Sequence, residues 1–196
     1  MKKFEERKFD IPALKGISAK SVEEHLKLYS GYVKNLNAIH EIAQDPAAPE
    51  YAKREAYRRQ GFEWGGMRNH EIYFSHFEGG AKPLSPDSAF SKKLIEQTGS
   101  FDAFLAGFKG LATTRGVGWA MLGYDKATDT FVQYWVDEQH LGHLPCVAPI
   151  LCLDLWEHSF VADYQPSGKK QYVEDFFANL NWQTVETYYE YASGAR

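Results

Sequence analysis

The chain has 196 residues, of which 44% are apolar and 24% charged, the balance of an ordinary globular protein with one large core or two small units. Its formal net charge of −4 leaves the whole molecule without the basic footprint of a nucleic-acid binder, although a local positive funnel for an anion stays open to it. No apolar run reaches the length of a membrane span, and the charged stretch Met1 to Asp10 lacks the apolar centre of a secretory signal, so a cytoplasmic protein is expected.

Val22, Leu26, Tyr29, Val33 and Leu36 recur at three- and four-residue intervals, which predicts a helix from Val22 to about Gln44 with Ser18 or Ser21 as its cap. Asp45-Pro46-Ala47-Ala48-Pro49 is a turn. A second helix is expected from Glu50 to about Phe77, where Gly61, Gly65 and Gly66 cost stability unless another group must approach closely. Lys53, Arg54, Arg58 and Arg59 read as a solvated face of that helix. Two long helices joined by a short turn make an antiparallel hairpin.

Gly79, Gly80, Pro83 and Pro86 mark a boundary, dividing a helical hairpin domain, residues 1–82, from an α/β part, residues 83–196. Ala89 to Gln97 and Phe101 to Ala112 read as short helices, the second capped by Ser100 or Asp102. Gly118 to Tyr124 and Thr130 to Val136 read as a strand pair around a turn. Val147 to Leu153 is an apolar run suited to a buried strand, and Lys170 to Tyr191 is helical. The fold class is α+β: an N-terminal antiparallel helical hairpin, then a mixed part with a small three-stranded antiparallel sheet flanked by helices. The two cysteines, Cys146 and Cys152, share a strand face too far apart to bond and are expected to be reduced core residues.

The sharpest chemical signal is Asp154-Leu155-Trp156-Glu157-His158, an oxygen and a nitrogen ligand at a strand end, suited to iron or manganese. Taken alone it reads equally as a capped helix start with an ion pair. His70, four residues after Gly66, and His25 on the opposite helix would meet inside the hairpin.

Taken in order, Ile17 to His25 with Tyr32 to Asn37, Asn69-His70-Glu71-Ile72-Tyr73-Phe74, Gly116 to Leu122, Asp154 to His158 and Asn181-Trp182 resemble successive motifs of the iron/manganese superoxide dismutases. The resemblance implies a mononuclear centre of three histidines and one aspartate, completed by solvent and loaded with manganese or iron. By motif position these are His25, His70, Asp154 and His158. The family's gateway tyrosine lies eight residues after its first ligand, whereas Tyr32 lies seven after His25, so counting back from Tyr32 reaches Glu24. On a regular helix, residues seven apart nearly share a face and residues eight apart differ by roughly 80°, which favours His25.

The resemblance further implies Tyr32 as the gateway hydroxyl and Gln139 as the amide that bonds the metal's solvent, with His140 taking that place if the alignment slips by one. Gly66 stands where iron-type members carry glutamine, so the pattern leans toward manganese or metal-flexible binding. A homodimer bridged through Glu157 and His158 is implied, as is the activity, disproportionation of superoxide to dioxygen and hydrogen peroxide. Leu28 and Val161 stand where a polar gate pair is expected, Phe74 and Met121 where tryptophans wall the site, and Lys169 near the place of an entrance arginine. Two other readings compete: a dismutase-fold structural or interaction module, and a different oxygen- or peroxide-handling metalloenzyme.

Overall fold

A computed structural model of the chain describes residues 3–195. Helix α1 (Ala19–Gln44) starts one turn before Val22 because Ser18, not Ser21, caps it: the Ser18 side chain accepts the Ser21 N–H at 3.1 Å. Helix α2 (Glu50–Ser75) follows Pro49 and carries Glu50 in its first turn, both favourable at a helix start. The two pack as the expected hairpin, burying Tyr29, Val33 and Leu36 of one against Met67, Tyr73 and Phe74 of the other.

Helix α3 (Ala89–Thr98) is capped by Ser88 and closed by Gly99 at φ 84°; α4 (Phe101–Ala112) is capped by Ser100. Strands β1 (Gly118–Asp125), β2 (Thr130–Asp137) and β3 (Val147–Asp154) form an antiparallel sheet in the order β2-β1-β3. The central strand is covered on both faces, and Gly118 to Tyr124 are all buried. Trp119 pairs with Val136 and Asp154, so these three share the face turned to the hairpin, while Ala120, Trp135 and Leu153 share the other. The edge strand β3 tolerates Pro149 and slips register by one residue near it.

The expected C-terminal helix is two, α5 (Lys169–Asn179) and α6 (Trp182–Ser193). The break is a tie point. Asn181 caps α6, its N–H donates to the His76 carbonyl at 2.8 Å, and its side-chain amide donates to the Glu78 carbonyl at 2.8 Å. Both cysteines are free, but only Cys152 lies in the core; Cys146 precedes β3, exposed, at φ 66°. Among the described residues no helix is long and apolar enough to cross a membrane.

Candidate metal centre

Four side chains from four parts of the fold meet between the hairpin and the sheet. His25 comes from the first third of α1, His70 from the last third of α2, Asp154 from the end of β3, and His158 from the short 3-10 turn Glu157–Ser159 that follows it. Their ligating atoms all lie within 4.8 Å of one another. Oδ2 of Asp154 is the hub, 3.0 Å from Nε2 of His25, 3.3 Å from Nε2 of His158 and 3.4 Å from Nε2 of His70. Ligands bonded at about 2.1 Å to one ion, at angles of 90–120°, would stand roughly 3.0–3.6 Å apart. Glu24, the alternative to His25, is exposed and pairs with Lys27 at 2.8 Å.

Asp154 and His70 are each oriented by a bond on the far side, the usual device for aiming a ligand. Asp154 accepts the Trp156 N–H on Oδ1 at 2.8 Å, and its carbonyl accepts the Tyr172 hydroxyl at 2.9 Å. His70 donates Nδ1–H to the Gly66 carbonyl at 2.6 Å. That tautomer leaves a lone pair on Nε2, which is buried and has no hydrogen-bond partner. A lone pair aimed at a carboxylate oxygen is satisfied by a cation between them. The donor set therefore fits a metal ion.

The electrostatics agree. Burial pushes the pKa of His25 down and that of His70 down to about 3, so both are neutral bases at physiological pH. Burial opposes the charge on Asp154, but His158 and His25 outweigh it and hold the carboxyl below the usual range.

Around this centre runs a second set of contacts. Trp119 donates its indole N–H to Gln139 Oε1 at 3.0 Å, and Gln139 Nε2 donates to the Tyr32 hydroxyl at 2.9 Å. Trp119 also stands edge-on to His70, and Trp156 stacks on His158. The glycines of α2 have their explanation here. A Cβ on Gly65 would sit 2.0 Å from the Gln139 carbonyl oxygen, and one on Gly66 would sit 2.3 Å from the Tyr32 ring. The groups that approach are the Gln139 carbonyl and the Tyr32 ring, both remote in sequence from these glycines. Asn69 donates to the same Gln139 carbonyl at 3.1 Å, and Tyr172, which carries no signal in the sequence, bonds the Asp154 carbonyl. His140 lies beside Gly61 and the Phe62 ring rather than on Tyr32.

A family model described as iron/manganese superoxide dismutases, C-terminal domain, matches residues 86–188. Similar curated proteins include the superoxide dismutase [Fe] of Aquifex aeolicus, 31% identical over 191 residues, covering 93% of this chain and 88% of that protein. The superoxide dismutase [Mn] of Mycolicibacterium fortuitum is 32% identical, covering 86% and 82% of the two chains, and the superoxide dismutase [Fe] of Tetrahymena pyriformis is 30% identical, covering 84% and 87%. The chain belongs to the iron/manganese superoxide dismutase family.

In this member of the dismutase family Leu28 is exposed and Val161 half-buried. Phe74 packs edge-on to His25 with centroids 4.9 Å apart, and Met121 is buried on the sheet face that carries Asp154. Lys169 does not stand in for an entrance arginine. Its ammonium donates to the Thr114 carbonyl at 2.7 Å and lies over Trp135, a residue of the opposite sheet face.

Proposed function

We propose that this chain disproportionates superoxide at one iron or manganese ion held by Nε2 of His25, His70 and His158 and Oδ2 of Asp154, with Tyr32 and Gln139 as the outer pair that handles protons. The observation that carries the reading is the convergence of three imidazole nitrogens on one carboxylate oxygen in a chain of the dismutase family. A bound iron or manganese ion supplies one-electron chemistry between two superoxide ions, so that one leaves as dioxygen and the other, with two protons, as hydrogen peroxide.

The residues supply what that chemistry needs. Gly66 fixes the His70 tautomer and leaves Nε2 free to ligate. Trp156 and Tyr172 hold Asp154 still. Because Gln139 donates to the Tyr32 oxygen, the phenolic proton remains free for solvent or substrate. Burial, the first cause, raises the Tyr32 pKa well above its usual value, so the hydroxyl keeps that proton at neutral pH and serves as a donor. The Trp119–Gln139–Tyr32 chain fixes which way it points.

Gln139, coming from the β2–β3 connection while position 66 is glycine, supports manganese or metal-flexible use. Glu157 is exposed beside His158, which supports a homodimer bridged through these two residues. The division into 1–82 and 83–196 is supported by each part's contribution of two ligands. A cytoplasmic location stays part of the reading.

The test is metal analysis and superoxide disproportionation on protein expressed with manganese or with iron, beside Asp154→Asn. About one ion per chain and metal-dependent activity in the parent, both lost in the variant, are expected. A parent that takes up neither metal overturns the reading; a metallated but inactive parent favours the non-catalytic module.

A further inference from the structure

Superoxide is an anion and the chain is acidic overall, so a cation placed on the approach to the centre would raise the rate at which substrate arrives. Lys169 is occupied elsewhere. On the Tyr32 side of the centre stands Arg59.

On α2, Arg59, Phe62, Glu63 and Gly66 follow one another within two turns. Gly66 supports the Tyr32 ring. Phe62 lies 6.0 Å from Tyr32 and 5.7 Å from His140 between ring centroids, so the three rings form a collar. The Arg59 guanidinium caps it, 3.6 Å above the Phe62 ring. Seven residues of helix place the Arg59 backbone roughly 10 Å from Gly66, within the reach of charge in dilute salt.

Glu63 makes this cation matter. Its side chain is 8% exposed, yet its partners are distant: Arg59 Nε at 3.6 Å and Asn35 Nδ2 at 3.4 Å. A buried carboxylate so loosely held projects negative potential toward Tyr32. Arg59 is 51% exposed and too far from Glu63 for a tight ion pair, so its charge is directed outward as well.

We propose that Arg59 is the entrance cation of this enzyme: it masks the buried Glu63 carboxylate and steers superoxide to the Tyr32 side of the metal. This rests on the dismutase reading. It makes Arg59 a specificity-determining residue on the approach path, outside the reacting atoms.

The experiment measures kcat/KM for superoxide against ionic strength, and azide affinity at the metal by absorption spectroscopy, for the metallated parent, Arg59→Gln, Arg59→Lys, Glu63→Gln and the double variant Arg59→Gln/Glu63→Gln. One unit charge about 10 Å away in water changes anion attraction by about twofold, more where the wall is of low dielectric. Arg59→Gln should therefore lose two- to fivefold in both readouts at low salt, converging with the parent at high salt. Glu63→Gln should gain, the double variant should return near the parent, and Arg59→Lys should keep most of the effect. Equal salt profiles for parent and Arg59→Gln overturn the proposal, and so does an Arg59→Lys loss as large as that of Arg59→Gln. A metallated parent without dismutase activity overturns the functional reading instead, and azide affinity then still tests Arg59.

Discussion

Gly66 lies against the ring of Tyr32: a methyl group on its α-carbon would stand 2.3 Å from Cδ1 and 2.6 Å from Cε1. A helix-weakening residue in α2 is thus the seat of the Tyr32 ring, whose hydroxyl is the proposed proton donor. Gly66→Ala gains helix propensity and loses this seat. The net effect should be destabilisation of about 1–3 kcal/mol from overpacking, with activity lowered because Tyr32 is pushed off Gln139. Thermal melting and steady-state kinetics check this; a variant more stable than the parent and fully active would show that Tyr32 moves freely.

Gln139 is the only polar link between Trp119 and Tyr32 among the described contacts, and it touches no ligating atom. Gln139→Leu should keep metal content near the parent value while activity drops about 10- to 100-fold, the range for groups behind a ligand set. Loss of metal in parallel with activity would make Gln139 a structural support of the ligands instead.

His76 gives a pH prediction independent of the metal. It is buried against Phe176 and Tyr188 rings, accepts the Cys152 N–H on Nε2 at 3.2 Å, and leaves Nδ1 unpartnered. Burial pushes its pKa down to about 3 from 6.5. Between those values the unfolded chain binds a proton that the folded chain refuses. Stability is therefore complete above about pH 6.5 and falls as pH drops toward 3, by about 1.4 kcal/mol per unit for such a group. His76→Gln removes the titration, so acid unfolding of the metal-free variant should begin at lower pH than that of the parent, followed by circular dichroism. Coincident acid transitions would assign acid sensitivity to other groups.

The two thiols should differ sharply. Burial raises the pKa of Cys152 well above normal, whereas Cys146 is exposed. A chromogenic disulfide reagent should titrate one thiol per native chain and two after denaturation. Two fast thiols in the native protein would mean that β3 opens readily.

Most of the architecture was legible because each element carries its own signal. Ser100 caps α4 as its position suggests, and Val147 to Leu153 is the apolar run of a strand that enters the core. The break at Leu180–Asn181 was hidden because its cause is tertiary: the partners of Asn181 are His76 and Glu78, some hundred residues earlier. Cys146 was misread for a similar reason, since its positive φ ends the strand pattern one residue before Val147. At the site, the resemblance to the dismutases singled out the four side chains that converge. Residue identity and spacing could not locate Lys169, whose ammonium is captured by the Thr114 carbonyl, or reveal that Arg59 rests on Phe62.

His25 and Asp154 meet although 129 residues separate them in the chain. During synthesis the hairpin leaves the ribosome with two of its four donors facing nothing, and the donor set exists only after β3 and the turn behind it have emerged and docked. A metal held by this donor set would thus load only after that docking. Such an ion would tie the N-terminal hairpin to the sheet like a clasp between pages, so its release and the opening of the hairpin from the sheet would be linked.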